Sequence, residues 1–365
     1  MQKKLIALAI AGLASSAAFA QSNVQIYGSI DMGYAHRGDN IDDNIDNQNS
    51  IDSGITAGNR LGFKGTEDLG NGLKALFTLE AGFAADTGNS TQGGRLFGRQ
   101  AFVGLTGGFG TVIAGRLYTP KYSFMSTIDP FKAGTVGQYR NVFAAGVNAG
   151  GENLFDPTRL DNAVAYVSPS FSGFNVTVAY SNNAIQQENI GNIGDNTVIA
   201  VMPRYTNGPI DVALNFHQID LNNDVPGLDD QKIINWTLGG TYDFGVAKLA
   251  AYYDDNKYEE FGVTKDDLTL KTWGLGVTVP FGKHSVLASY NRSKLELNDR
   301  EGNSSQWALG YNYSLSKRTN VYAAYADISN DDEDGDYIRT ASVADSTNAG
   351  NGYQNGFQVG LKHSF

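Results

Sequence analysis

The chain contains no cysteine, which excludes disulfide staples and every thiolate-based site. Positive charge is in short supply, with 27 Lys and Arg against 38 Asp and Glu and a net charge of −11. Nucleic acid is therefore a poor partner, because its phosphates are held by clustered basic residues. Histidine occurs only at His36, His217, His284 and His363, in four distant segments, so no acid-base triad assembles from the pattern and no enzyme is expected. Proline stands at 8 of 365 residues beside 19 Tyr, 19 Phe and 44 Gly, which is not the composition of a disordered chain. Beyond residue 20 no uninterrupted apolar run reaches 18 residues, so no helix is available to cross a membrane.

Lys3 and Lys4, an apolar stretch from Leu5 to Leu13, and Ala18-Phe19-Ala20 follow the order of a secretory signal peptide. They predict a cleaved leader over 1–20, an exported protein, and a single domain over 21–365. Loss of the two lysines takes the net charge from −11 to −13.

What is abundant is alternation with a period of two. Trp307, Leu309, Tyr311, Tyr313 and Leu315 alternate with Gln306, Ala308, Gly310, Asn312 and Ser314. Phe174-Val176-Val178-Tyr180, Val212-Leu214-Phe216 and Ile234-Trp236-Leu238 repeat the pattern, one face apolar and the other polar. About sixteen such segments of roughly ten residues can be counted, the length a transmembrane strand requires. They lie near 23–34, 58–69, 72–83, 95–106, 110–118, 159–168, 173–182, 195–205, 209–219, 231–243, 245–256, 268–279, 283–294, 304–315, 319–329 and 353–365. Short turns such as Gly70-Asn71, Asn207-Gly208-Pro209 and Phe281-Gly282-Lys283 alternate with longer polar connectors, of which 35–57 and 119–158 are the longest before residue 160.

These features predict an all-β fold, a sixteen-stranded antiparallel transmembrane barrel with both termini at the short-turn end. The mean hydropathy of −0.29 looks soluble, yet a barrel scores this way because half its strand residues face water. A water-soluble sandwich is the competing fold for alternation alone. Sixteen strands would need two such domains, and no linker or composition shift divides the chain.

The stretch "NRLGFKGTEDLGNGLKA" at 59–75 resembles the second and third strands of Gram-negative general diffusion porins, most closely the betaproteobacterial branch. "FTLEAGF" at 77–83, "GRQAFVGL" at 98–105, "GTVIAGR" at 110–116, "YVSPSFSGF" at 166–174 and the closing Phe365 extend the likeness over the whole chain after the leader. The resemblance implies a homotrimer in the outer membrane of a Gram-negative bacterium, in contact with lipid and lipopolysaccharide. Each barrel would pass small hydrophilic solutes and ions, with the third long loop, 119–158, folded into the lumen. A substrate-specific channel is the alternative on the same architecture; a barrel enzyme or surface adhesin stands further off.

By the same resemblance, Arg60, Arg99 and Arg159, with Arg116 as a further member, form the basic side of a constriction. Glu80 on the wall and Asp129 in "STIDPF" face them. The family's Pro-Glu-Phe-Gly sequence is replaced here by Asp129-Pro130-Phe131-Lys132, so a second loop acid is missing. Strand parity points the same way. With Leu61 and Phe63 toward lipid, Arg60 and Lys64 face the lumen; with Phe77 and Leu79 outward, Lys74 and Glu80 face in. Parity with Phe102 outward places Arg99 inside, and parity with Leu160 and Val164 outward does so for Arg159. A charge on the lipid face at mid-membrane would cost roughly 2–4 kcal/mol. The arginine excess favours anions, whereas the acidic stretches "GDNIDDNID" and "NDDEDGD" favour cations. Neither a P-loop nor an HExxH motif is present, and Asn330 to Gly335 lacks the closing glutamate of a calcium loop, so no cofactor or metal is expected. "GFQVGLKHSF" reads as the final strand, with Phe357, Val359, Leu361, His363 and Phe365 outward and pairing to the first strand.

Overall fold

The computed structural model describes residues 23–40, 47–143, 148–149, 152–184, 196–221, 231–261, 266–298, 300–331, 341 and 353–365. The expected leader lies outside them, as do 41–46 and 332–336 of the two acidic stretches and with the latter most of the calcium-like Asn330 to Gly335. The strands in order are β1 (Asn23–Asn40), β2 (Gln48–Ser53), β3 (Arg60–Gly70), β4 (Leu73–Gly82), β5 (Gln100–Gly107) and β6 (Gly110–Tyr118). The helix α1 (Pro120–Ile128) and a 3-10 turn (Tyr139–Phe143) follow, then β7 (Asn148–Ala149), β8 (Glu152–Asn153), β9 (Arg159–Val167) and β10 (Phe174–Ser181). The rest are β11 (Asn196–Asn207), β12 (Ile210–Leu221), β13 (Gln231–Asp243), β14 (Lys248–Phe261), β15 (Asp266–Phe281), β16 (His284–Leu297), β17 (Arg300–Ser314), β18 (Thr319–Asp331) and β19 (Tyr353–Ser364).

All strands but β7 and β8 belong to one antiparallel sheet. Along one side of β1, Asn23–Ser29 pairs with β3 and Met32–Arg37 pairs with β2. Thus β2 and β3 are two halves of one stave, interrupted at 54–59, and the sheet has sixteen staves. On the other side of β1, Ser29 pairs with Ser364 and Asn40 with Tyr353, which closes the barrel. Closure leaves no unpaired edge, the condition for a sheet surrounded by hydrocarbon.

The alternation sorts side chains to the two faces in the sense opposite to a soluble protein. On β13, Trp236 and Leu238 are 49% and 53% exposed, whereas Asn235 and Thr237 between them are buried at 0% and 1%. Apolar residues form the outer surface and amides and hydroxyls line the inside. The strands fall near the expected positions, except that the one expected at 95–106 starts only at Gln100, and many run further at the long-loop end, as β1 does to Asn40 and β14 to Phe261. Beyond the membrane both faces meet water, so the apolar alternation stops while backbone pairing continues. The segment 48–53, read as connector, pairs with β1 for the same reason.

Two parity assignments are corrected. Phe102 faces inward and packs against the buried cluster, while its neighbours Val103 and Leu105 are exposed. Leu160 is likewise buried, not lipid-facing, because a register shift between β6 and β9 and a left-handed Asn162 (φ 50) break the alternation before Val164.

The segment 119–158 carries its own secondary structure, where no regular element was expected. Thr119 caps α1, accepting from the Tyr122 amide at 3.0 Å and donating to the Pro157 carbonyl at 2.7 Å, and Pro120 opens the first turn. Phe124, Met125 and Ile128 on this helix join Phe131, Tyr139, Val142, Phe143, Leu154 and Phe155 in the buried apolar cluster. Glycines of the wall, on the face opposite the exposed apolar rows, make room for it. A Cβ on Gly239 would lie 2.8 Å from Ile128, on Gly276 2.5 Å from Pro130, on Gly310 2.7 Å from Phe131, and on Gly356 2.7 Å from Val136. The Thr135 amide then meets the Ile55 carbonyl in the interrupted stave.

Candidate functional site

Glu80 is the centre of the first charge cluster. Its partner across the β3–β4 ladder is Gly62, whose missing side chain leaves space for the Tyr27 ring. Tyr27 donates its hydroxyl to Glu80 Oε2 at 2.9 Å. Arg99 Nε donates to Oε1 at 2.8 Å, Tyr118 donates to the same oxygen at 3.2 Å, and Arg60 Nη1 lies 3.7 Å from it. Arg99 also donates to the Tyr118 hydroxyl at 2.7 Å. Glu80 and Arg99 are buried, while the Arg60 side chain keeps 24% of its surface open. One carboxylate balances two guanidinium groups, so the cluster carries a net positive charge.

Arg159 joins this cluster by donating Nε to the Arg99 carbonyl at 3.1 Å, with its guanidinium 5.2 Å above the Tyr118 ring. Tyr118 lies 5.1 Å from Tyr122, and Arg140 stands 5.8 Å over the Tyr122 ring, continuing a ladder of cations and aromatic faces. Arg116 belongs to a neighbouring group instead. It ion-pairs with Asp161, which also binds Arg95 at 2.7 Å, and donates to the Gly98 carbonyl at 2.7 Å.

Asp129 sits apart from the arginines, at the C-terminal end of α1. Its carboxylate accepts from the amides of Phe131, Ala133 and Tyr139 at 3.2, 2.8 and 3.4 Å, and burial pushes its pKa up to about 6. These bonds organise a turn in which Lys132, Ala133 and Thr135 take left-handed φ of 55°, 54° and 61°.

A third cluster ties the segment 119–158 to the wall. The buried Lys121 ammonium lies 2.8 Å from Asp254 on β14 and 3.6 Å from Asp156, and donates to the Phe155 carbonyl at 2.8 Å. Thr237 and Asn235 donate to Asp254 at 2.6 and 3.1 Å. Arg140 and the Tyr139 hydroxyl donate to Asp156 at 2.7 and 2.9 Å. Burial works against ionised Asp156, but Arg140 and Lys121 hold its carboxyl below the usual range.

Sequence reasoning thus brought together Arg60, Arg99, Arg159 and Glu80, and missed Tyr27, Tyr118 and Asp254. Asp254 was legible: it shares the inward parity of Tyr252, opposite to the exposed Tyr253. Arg99 stands in the bend before β5, so its contact with Glu80 does not follow from strand parity at all.

A family model described as Gram-negative porin matches residues 7–333. The chain belongs to the Gram-negative porin family. An outer membrane porin protein of Bordetella pertussis is 34% identical, covering 88% of this porin and 93% of the relative. Outer membrane porin protein 32 of Delftia acidovorans is also 34% identical, over 100% of both chains. Among solved structures, an anion-selective porin from Comamonas acidovorans superposes with a TM-score of 0.76 at 30% identity, covering 94% of this chain and 100% of that one. The sixteen-stave barrel, with polar residues inside and apolar residues outside, is the corresponding architecture: an outer-membrane channel for passive diffusion of small hydrophilic solutes. The family is not one of enzymes.

Proposed function

We propose that the segment 119–158 lies across the lumen as its constriction and that the porin prefers small anions. The observation that carries this is the state of the carboxylates. Glu80 is covered by two arginines and two tyrosines, Asp161 by two arginines, and Asp156 by Lys121, Arg140 and Tyr139. Little negative charge is left for a passing cation, whereas Arg60 keeps an open face. Rings of excess charge of one sign set the preference of a pore. A relative at 30% identity carries the description anion-selective, in agreement with this reading.

In this proposal Arg60 presents charge to the passage, while Arg99 and Arg159 stand behind it and hold its field in place. Arg116 braces the neighbouring wall through Asp161, and Asp129 shapes the loop turn. The functional unit is a homotrimer of chains beginning after residue 20, with no catalytic activity. On the outer face, Lys271, Arg292 and Lys294 lie on the long-loop side of Trp273 and Tyr290, a position suited to phosphorylated lipid headgroups such as those of lipopolysaccharide.

The test is the reversal potential of the reconstituted porin in a salt gradient. Neutralising Arg60, Arg99 and Arg159 together should move it toward cations, and an unchanged potential would remove their assignment. Saturable block of the current by one uncharged solute would instead mark a substrate-specific channel.

A further inference from the structure

At the short-turn end of the barrel a cavity of about 530 Å³ gathers charge of one sign. Its lining includes Lys132 from the turn after α1, Lys248 at the start of β14, Lys317 and Arg318 between β17 and β18, and Lys362 on β19. Asp129 is the one acid in that lining, and its carboxylate is occupied by three backbone amides. Among the described residues none of the five basic side chains forms an ion pair, unlike Arg60, Arg95, Arg99 and Arg116. Other acids of the inner wall are also engaged: Asp31 accepts from the Thr56 amide and from the Tyr322 hydroxyl, and Asp211 takes a fork of two bonds from Arg204.

Five unpaired cations around a space of this size act together. The screening length at physiological salt is about 8 Å, comparable with the width of such a cavity, so a solute inside feels several of them at once. Low-dielectric walls focus that field. Attraction grows with the charge of the solute, so a divalent anion is favoured over chloride. Lysine ammonium groups on flexible stems act as point charges without the fork geometry of arginine, which suits anions of varied shape. The volume lies within the range that holds small organic ligands, roughly 300–1,000 Å³.

We propose that this cavity is a capture site for small anions bearing two or more negative charges, placed in series with the arginine cluster at the periplasmic mouth. It rests on the anion-preferring reading above and gives that reading a substrate class. A monovalent anion crosses it freely; a multivalent one dwells there and obstructs the chloride current.

The test uses the full-length porin in a planar bilayer, with pyrophosphate as the probe against a potassium chloride background. Pyrophosphate should reduce the chloride current saturably, and more strongly from one side of the membrane than from the other. The variant Lys248→Gln/Lys317→Gln/Arg318→Gln should weaken the block at least tenfold while stepwise conductance persists. The charge-retaining variant Lys248→Arg/Lys317→Arg/Arg318→Lys should keep it, which separates lost charge from a damaged barrel. Arg60→Gln should keep it too, whereas loss of block in Arg60→Gln alone would place the site at the arginines and overturn the proposal. Equal block in the wild type and the neutralised variant would also overturn it. If the wild type prefers anions and shows no pyrophosphate block, the capture site fails alone; if it prefers cations, the underlying reading fails as well.

Discussion

Glu80 and Arg99 are a buried pair, so each depends on the other for its solvation. Replacing Glu80 by Gln leaves the Arg99 charge enclosed without its counterion, a change that costs about 3–5 kcal/mol at a buried pair. The urea midpoint of Glu80→Gln should fall accordingly, and an unchanged midpoint would show that Glu80 does not hold this cluster. Asp129 behaves differently, because burial raises its pKa from 3.8 to about 6. The folded chain binds this proton more tightly than the unfolded chain, so the group adds stability that is full below 3.8. That contribution is lost as pH rises through about 6. Asp129→Asn should flatten this part of the stability profile between pH 4 and 7, measured by urea unfolding at each pH. At this scale the sequence was readable where strand parity applies, as for Arg60 and Glu80. Parity did not carry Arg99, which lies off the strand, or Arg159 and Leu160, which precede a break in register; the family resemblance alone pointed to the two arginines.

The strands themselves were legible because water and hydrocarbon meet on their two faces, and alternation records that contact. Their extensions above the membrane carry no such record, and neither does the interruption at 54–59, which is set by the approach of another segment. There the Thr56 amide bonds to Asp31, and the Thr135 amide reaches the Ile55 carbonyl. The course of 119–158 is written instead in glycines of the wall. Gly276→Val should drive Pro130 away, since even a Cβ there would stand 2.5 Å from its ring. The expected result is a larger and noisier single-channel conductance in a barrel that still assembles. Wild-type conductance in this variant would mean that the segment does not control the passage.

The whole molecule turns a soluble protein's plan outside in, with its buried apolar cluster built from the segment 119–158 and inward-facing residues of the wall. The seam between β1 and β19, where the Gly28 and Phe365 backbones exchange bonds of 3.2 and 3.1 Å, removes the last open edge. Net charge is a poor guide to what such a barrel conducts. The total is −11, yet among the described residues Glu80, Asp156, Asp161 and Asp254 each have a cationic partner, while Lys132, Lys248, Lys317, Arg318 and Lys362 at the short-turn mouth form no ion pair. Composition alone therefore left the ion preference open, because it counts charges without their partners. The most direct test is the zero-current potential of the purified, folded porin in a planar bilayer under a potassium chloride gradient. An anion-preferring porin gives stepwise conductance and a potential of the sign set by chloride. A cation-signed potential, or no stepwise conductance at all, would contradict this assignment.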